Sequence, residues 1–241
     1  MKEYTTEFIR NIALVSHGSA GKTMLAEAFL HFTGTTTRLG KIDDGTTVSD
    51  NDEEEIRRKL SLYTSVLPLE YRDCKINVLD APGYTDFIGE MISALSVADG
   101  AVVLVDSVGG VEVGTELAWH TAVELGLPRF IVINRMDRDN ASFSRAYESV
   151  EEFMRVTGGR VVKAQLPIGE KHEFKGVIDL VSMKAYLADG KSATDIPADL
   201  KAAADEAHQS LVEAAAEGED TLLEKYLENG SLSDEELVRG L

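Results

Sequence analysis

The stretch IALVSHGSAGKT, residues 12–23, limits the possible folds more than any other part of the 241-residue chain. Ile12-Ala13-Leu14-Val15 is a continuous apolar run of the kind buried on both faces of a sheet. It empties into Ser16, His17, Gly18, Ser19, Ala20 and Gly21, and Lys22-Thr23 then open a helical pattern, MLAEAFLHF. A strand, a turn with little side chain and a helix start together form an anion site. The turn's N–H groups converge, and the helix terminus adds positive potential. In such a site Lys22 reaches the β- and γ-phosphates of a nucleotide, and the Thr23 hydroxyl holds a magnesium ion. The pattern is G-x-x-x-x-G-K-[ST], with Ser16 where the first glycine belongs.

Two further motifs follow in order. Ser61–Glu70 and Lys75–Leu79 read as strands joined by the polar turn YRDC, a hairpin. The second strand ends in Asp80-Ala81-Pro82-Gly83-Tyr84, where open α/β sheets place ligands. Asp80 can reach the magnesium through water, and the Gly83 N–H can approach the terminal phosphate. The apolar run Phe130–Ile133 (FIVI), read as another buried strand, leads into Asn134-Arg135-Met136-Asp137. A carboxylate there can accept both hydrogens of guanine's ring nitrogen and exocyclic amine, a pair adenine lacks. A site built on those bonds discriminates strongly, because the wrong base leaves a buried carboxylate unpaired.

Between the motifs lie a helix from Asp86 to Val97, the strand Ala101–Val105 and a helix from Gly114 to Gly126 carrying Trp119 and His120, both read as packing residues. Strands separated by helices specify a largely parallel sheet built from βαβ units. The first helix should end near Thr33-Gly34. The polar stretch after it, TTTRLGKIDDGTTVSDNDEEEIRRK, reads as a partly helical insertion or a segment that orders around bound nucleotide. Beyond Gly158 an appended layer is expected: strands over Val161–Leu166, Phe174–Leu180 and Lys184–Leu187, and helices over Asp195–Ala216 and Asp220–Leu227. A last helix should open on the capping box Ser233–Glu236.

Composition narrows the class. The N-terminus, MKEYTTEFIR, has no apolar core and reads as neither signal peptide nor anchor, and no apolar run approaches a membrane span. One cysteine, Cys74, excludes an internal disulfide and suits a reducing, cytoplasmic setting. The net charge of −18 is uneven, with 13 acidic and 3 basic residues from Asp195 onward. Such a surface repels a phosphate backbone and attracts basic proteins, so neither a membrane nor sequence-specific nucleic acid is an expected partner. The histidines, His31, His172 and His208 included, show no ligand spacing.

In this order the three motifs resemble the GTP-binding domain of translational GTPases, closest to bacterial elongation factor G and its elongation factor G-like paralogues. RNIALVSHGSAGKT, DGTTVSD and NRMDRDNASF support the likeness, and FKGVIDLVSMKAY and DTLLEKYLENGSLSDEEL resemble a subdomain inserted within that domain. The resemblance implies an α/β P-loop GTPase domain over residues 1–158 and an inserted acidic α+β subdomain over 159–241. The family protein is several times longer, so the chain reads as an N-terminal piece that stops before the last guanine-contacting motif, an S-A pair. Arg58-Lys59-Leu60-Ser61 aligns with the family's R-G-I-T, which makes Ser61 a magnesium ligand beside Thr23, with Asp80. Ser19 replaces an aspartate, and Arg135 replaces the lysine of NKxD, keeping the charge on a planar head. Tyr84 stands where the family has a histidine that orients the attacking water. A phenol, with a typical pKa of about 10, donates a hydrogen bond rather than accepting a proton near neutral pH. With Lys22 and Gly83 as the other catalytic groups, slow hydrolysis is expected.

The implied cofactors are GTP or GDP and Mg2+, and the implied partner is the ribosome at its large-subunit factor-binding site. The acidic helices would be steered toward the basic end of the stalk protein. Three readings follow: a GTPase switch of an elongation factor, a GTP-gated ribosome-binding regulatory module that hydrolyses little, and an ATP-using P-loop enzyme. The third requires Asp137 to be incidental.

Overall fold

The computed structural model describes residues 2–187 and 192–241. It forms two compact units, residues 1–135 with 145–147, and residues 136–144 with 148–241. The first holds a five-stranded sheet in the order β2-β3-β1-β4-β5. Its strands are β1 (Ile9–Val15), β2 (Ser65–Tyr71), β3 (Cys74–Asp80), β4 (Gly100–Asp106) and β5 (Arg129–Asn134). β1 pairs in parallel with β3 and β4, β4 with β5, and only the β2–β3 hairpin is antiparallel. Flanking helices are α1 (Lys22–Phe32), α2 (Glu53–Arg58), α3 (Ile88–Ser96) and α4 (Val113–Glu124). Leu14 and Leu104 on central strands meet Leu30 of α1 and Leu67 of β2 in the core of this unit. Because β1, β3, β4 and β5 run the same way, their carboxyl ends share one edge. The chain leaves β1 between neighbours that connect in opposite directions, the position where such sheets open a crevice.

The hairpin forms as expected, but β2 begins at Ser65 rather than Ser61. Lys59 turns the chain with φ of 56°. The amides of Leu62, Tyr63 and Thr64 then bond to the carboxylates of Glu55 and Glu90 instead of a strand. The hairpin turn is the pair Arg72-Asp73, both at positive φ, matching the twist of the strands on either side. β2 is an edge strand, which is why it tolerates Pro68. The insertion is helical only at α2, capped by Asp52 and Glu55 in a reciprocal box. A 3₁₀ turn, Thr85–Phe87, precedes α3. β5 is an edge strand with exposed Arg129 and Phe130, so FIVI is not buried on both faces. Trp119 is buried with the Arg129 guanidinium 4.9 Å above its ring, whereas His120 is exposed and lies outside the core.

The second unit contains the antiparallel sheet β6 (Gln165–Ile168), β7 (Gly176–Asp179), β8 (Lys184–Leu187) and β9 (Ala193–Thr194). Three helices, α6 (Lys201–Ala216), α7 (Asp220–Asn229) and α8 (Asp234–Gly240), belong to it. Ile178 and Leu180 meet Leu211 and Leu237 in a separate core. The strands at 161 and 174 start later than expected, at Gln165 and Gly176, and α6 starts at Lys201. Pro197 closes a turn with Leu200 there, which delays the helix. The Ser233–Glu236 capping box forms and opens α8. Helix α5 (Phe143–Thr157), its residues divided between the units, was not expected from the sequence. Ala146, Val150 and Met154 are its buried positions, four residues apart, a signal that the charged residues between them mask.

Candidate nucleotide site

The turn from β1 to α1 is built as the sequence implies. Ser16 is buried and donates to the His17 carbonyl at 2.8 Å. Gly21 caps α1 at φ of 96°, a conformation that suits glycine, and Ser19 also stands at positive φ. Ala20 is buried and its carbonyl accepts from Asn134 Nδ2 at 3.0 Å, so the end of β5 braces the turn. His17 Nδ1 accepts the Gly114 N–H at 3.3 Å, and its other ring nitrogen faces Glu112 at 3.8 Å. Lys22 folds back to donate to the His17 carbonyl at 3.1 Å.

The carboxyl end of β3 meets this turn. Ala81 and Pro82 are buried, and the Ala81 N–H bonds to the Leu14 carbonyl at 3.3 Å. Gly83 lies so close that a Cβ on it would strike Lys22 Nζ and stand 2.7 Å from the His17 carbonyl oxygen. Tyr84 is 41% exposed, with its ring over Gly18. A side chain at residue 18 would begin 3.0–3.2 Å from that ring. Arg135 is not free to lie along a base with its head unpaired, because Nη1 bonds to Asp106 Oδ2 at 3.1 Å. Burial pushes Asp106 up, but the N–H groups of Val108 and Gly109 and the Arg135 guanidinium hold it below the usual carboxylate range. Met136 and Asp137 belong to the second unit. Met136 is buried and its carbonyl accepts the Lys171 N–H, while Asp137 is exposed in a turn.

Thr23 and Ser61, far apart in the chain, bring their hydroxyl oxygens to 3.3 Å. Two residues the motifs did not assign complete the cluster. Ser49 donates to Asp80 Oδ2 at 2.7 Å, and Asp50 is buried beside it in sequence. Asp80 Oδ1 and Asp50 Oδ1 are buried with no hydrogen-bond partner of good geometry. Burial pushes Asp50 up to about 6 against the pull of the Ser61 hydroxyl, and it raises Asp80 against Ser49 and Thr23. Three hydroxyls and two carboxylates, the carboxylates with spare buried lone pairs, are a hard-oxygen donor set that fits Mg2+. Only the position of Asp50 in the phrase DGTTVSD hinted at its place here.

A family model of the elongation factor Tu GTP-binding domain matches residues 7–234. The chain belongs to that family. As a GTPase-family domain it has the α/β sheet described above, and the second antiparallel sheet fits an inserted subdomain. Its fold is similar to that of a crystallised protein from Thermus thermophilus, with a TM-score of 0.87 and 37% identity. The match covers 97% of this chain and 35% of that one, so the chain spans about a third of its neighbour's length. Among the described residues no helix is long and apolar enough to cross a membrane.

The reading of Lys22 as the phosphate-binding lysine implies a pH dependence of nucleotide affinity. Burial lowers its pKa to about 8, although the Asp80 carboxylate opposes this. A phosphate at Nζ raises it again, so binding takes up a proton whenever the free site has lost one. Affinity should therefore be full well below pH 8 and fall as pH rises through it. GDP titrations at constant ionic strength should weaken about tenfold between pH 7 and 9. Lys22→Arg, charged throughout, should bind more weakly with a flat profile. A flat wild-type profile contradicts the assignment.

Proposed function

We propose that this chain is the nucleotide switch of a ribosome-associated translation factor of the elongation factor G kind, binding and hydrolysing GTP. What carries the reading is the meeting of Lys22, Thr23, Ser61 and Asp80 at one sheet edge, with Gly83 against the phosphate turn. In this reading residues 1–158 form the GTP-binding domain and 159–241 the inserted subdomain. Lys22 neutralises the β- and γ-phosphates, and the turn's amides cradle them. Thr23 and Ser61 would hold Mg2+ directly, with Asp80 and Asp50 accepting from its water shell. The ion would supply charge neutralisation and orientation of the phosphates. Asn134 braces the turn, Asp137 selects guanine by accepting two hydrogens, and the Gly83 amide senses the γ-phosphate. With GTP bound the switch segment orders and the protein docks on the ribosome; hydrolysis releases it.

A second reading keeps the same site but makes the chain a GTP-gated regulatory module with little hydrolysis. Tyr84 favours it, with its ring over Gly18 where the family has a histidine. Competition among GTP, GDP, ATP and xanthosine nucleotides tests what both readings share. Wild type should prefer guanine nucleotides, and Asp137→Asn should turn that preference toward xanthine, whose C2 oxygen accepts from an amide. Preference for ATP, or indifference of the base order to Asp137→Asn, sinks the base assignment.

A further inference from the structure

We propose that Glu27 is a positioning residue, a carboxylate latch on α1 that presents Ser49 and Asp50 to the metal side of the phosphate site. The side chain is 1% exposed, and both hydrogen bonds described for it come from backbone amides of the polar insertion. Oε2 accepts the Gly40 N–H at 3.1 Å and Oε1 the Val48 N–H at 2.5 Å. These amides stand at the two ends of a loop that folds back on itself, with the Thr46 N–H on the Lys41 carbonyl at 3.1 Å. The residue after Val48 is Ser49, whose hydroxyl reaches Asp80, and after it comes buried Asp50.

Further on the insertion is held by the Ser49 hydroxyl on Asp80 and by the Ser65 hydroxyl, which donates to the Ser49 carbonyl at 2.7 Å, but between Gly40 and Val48 the backbone is tied to α1 by Glu27. Of its larger apolar side chains Leu39 and Val48 are exposed and Ile42 is only half-buried, so core burial contributes little to fixing the loop and hydrogen bonds carry more of it. Glu27 lies four residues after Thr23, on the same face of α1 and about 6 Å along its axis. One rigid helix thus carries a metal-side hydroxyl and, one turn on, the anchor that places the two residues opposite it. The fit depends on Gly40, where a Cβ would collide with Glu27 Oε2 and stand 2.7 Å from the Thr46 carbonyl oxygen. It also depends on a carboxylate. Glutamine has one acceptor oxygen, and its amide N–H2 would face one of the two N–H donors.

The role rests on the nucleotide reading above, so the test separates the two. Glu27→Gln, Gly40→Ala and the double variant are compared with wild type for GDP affinity in EDTA, for the Mg2+ concentration that half-saturates tight GDP binding, and for amide exchange in nucleotide-free protein. Each single variant should raise the half-saturating Mg2+ about tenfold, the scale expected when a group orienting metal-site residues is lost. Each should also speed exchange at Gly40 and Val48 while leaving GDP affinity in EDTA within about twofold. The double variant should match the singles, because both substitutions remove one contact. A wild type that binds no GDP overturns the site reading, and the metal role of Glu27 with it. A wild type that binds GDP, beside a folded Glu27→Gln with unchanged Mg2+ dependence and protected amides, overturns the latch alone.

Discussion

On the proposed reading, Tyr84→His in the full-length protein should speed single-turnover GTP hydrolysis with ribosomes by about 10²-fold, the lower end of what a positioned acid–base or water-orienting group supplies. The side chain is exposed and its ring rests above Gly18, so it stands at the mouth of the phosphate turn rather than in the core. An imidazole can accept a hydrogen bond from the attacking water at neutral pH, and it covers less of the turn than a phenol. Affinity for GDP should hardly change, since none of the groups cradling the β-phosphate is touched. The separation of rate from affinity is therefore the diagnostic. Equal rates for the two proteins would mean that tyrosine already places the water, as a reaction governed by electrostatics and positioning permits.

Gly83→Ala is expected to lower hydrolysis by about 10²-fold with GDP affinity within a few-fold of wild type. Gly83 has no unusual backbone angle, so alanine is tolerated conformationally, and the whole effect is steric. Lys22 Nζ can swing aside, but the His17 carbonyl oxygen at 2.7 Å and the Gly18 nitrogen at 2.8 Å are backbone atoms of the turn and cannot. The segment after Asp80 must retreat, taking the Gly83 amide from the place proposed for the terminal phosphate, and displacements near 1 Å can cost that factor in rate. GDP lacks the γ-phosphate and should register only the displacement of Lys22, a few-fold at most. Hydrolysis within threefold of wild type would remove Gly83 from the machinery.

The parts of this domain legible in the sequence were those where a local rule has one outcome. An apolar run ending in small residues and Gly-Lys-Thr can hardly be anything but strand, phosphate turn and helix. Ser233 and Glu236 make their reciprocal cap because only two residues separate them. Helix α5 was missed because charged residues interrupt an apolar stripe whose buried positions recur every fourth residue. Of the site, Lys22, Thr23, Ser61 and Asp80 could be named from motifs or resemblance, and they do converge. Ser49, Asp50 and Glu27 could not be read this way, since a polar residue buried by long-range hydrogen bonds looks in sequence like any solvated one. The ion pair of Arg135 was hidden likewise, because Asp106 is a strand away.

The two-residue turn at Arg72-Asp73 has a reach beyond its own size. It sets Ser65 opposite Asp80 at the far end of the hairpin, roughly 23 Å away along seven paired residues. The Ser61 hydroxyl, which meets Thr23, hangs from that end, four residues before Ser65. A one-residue slip of β2 against β3, which this turn prevents, would put every side chain of β2 on the wrong face. The bend at one pole of the sheet acts as a gauge for the other, and residues remote from the oxygen cluster decide how far apart Ser61 and Thr23 stand.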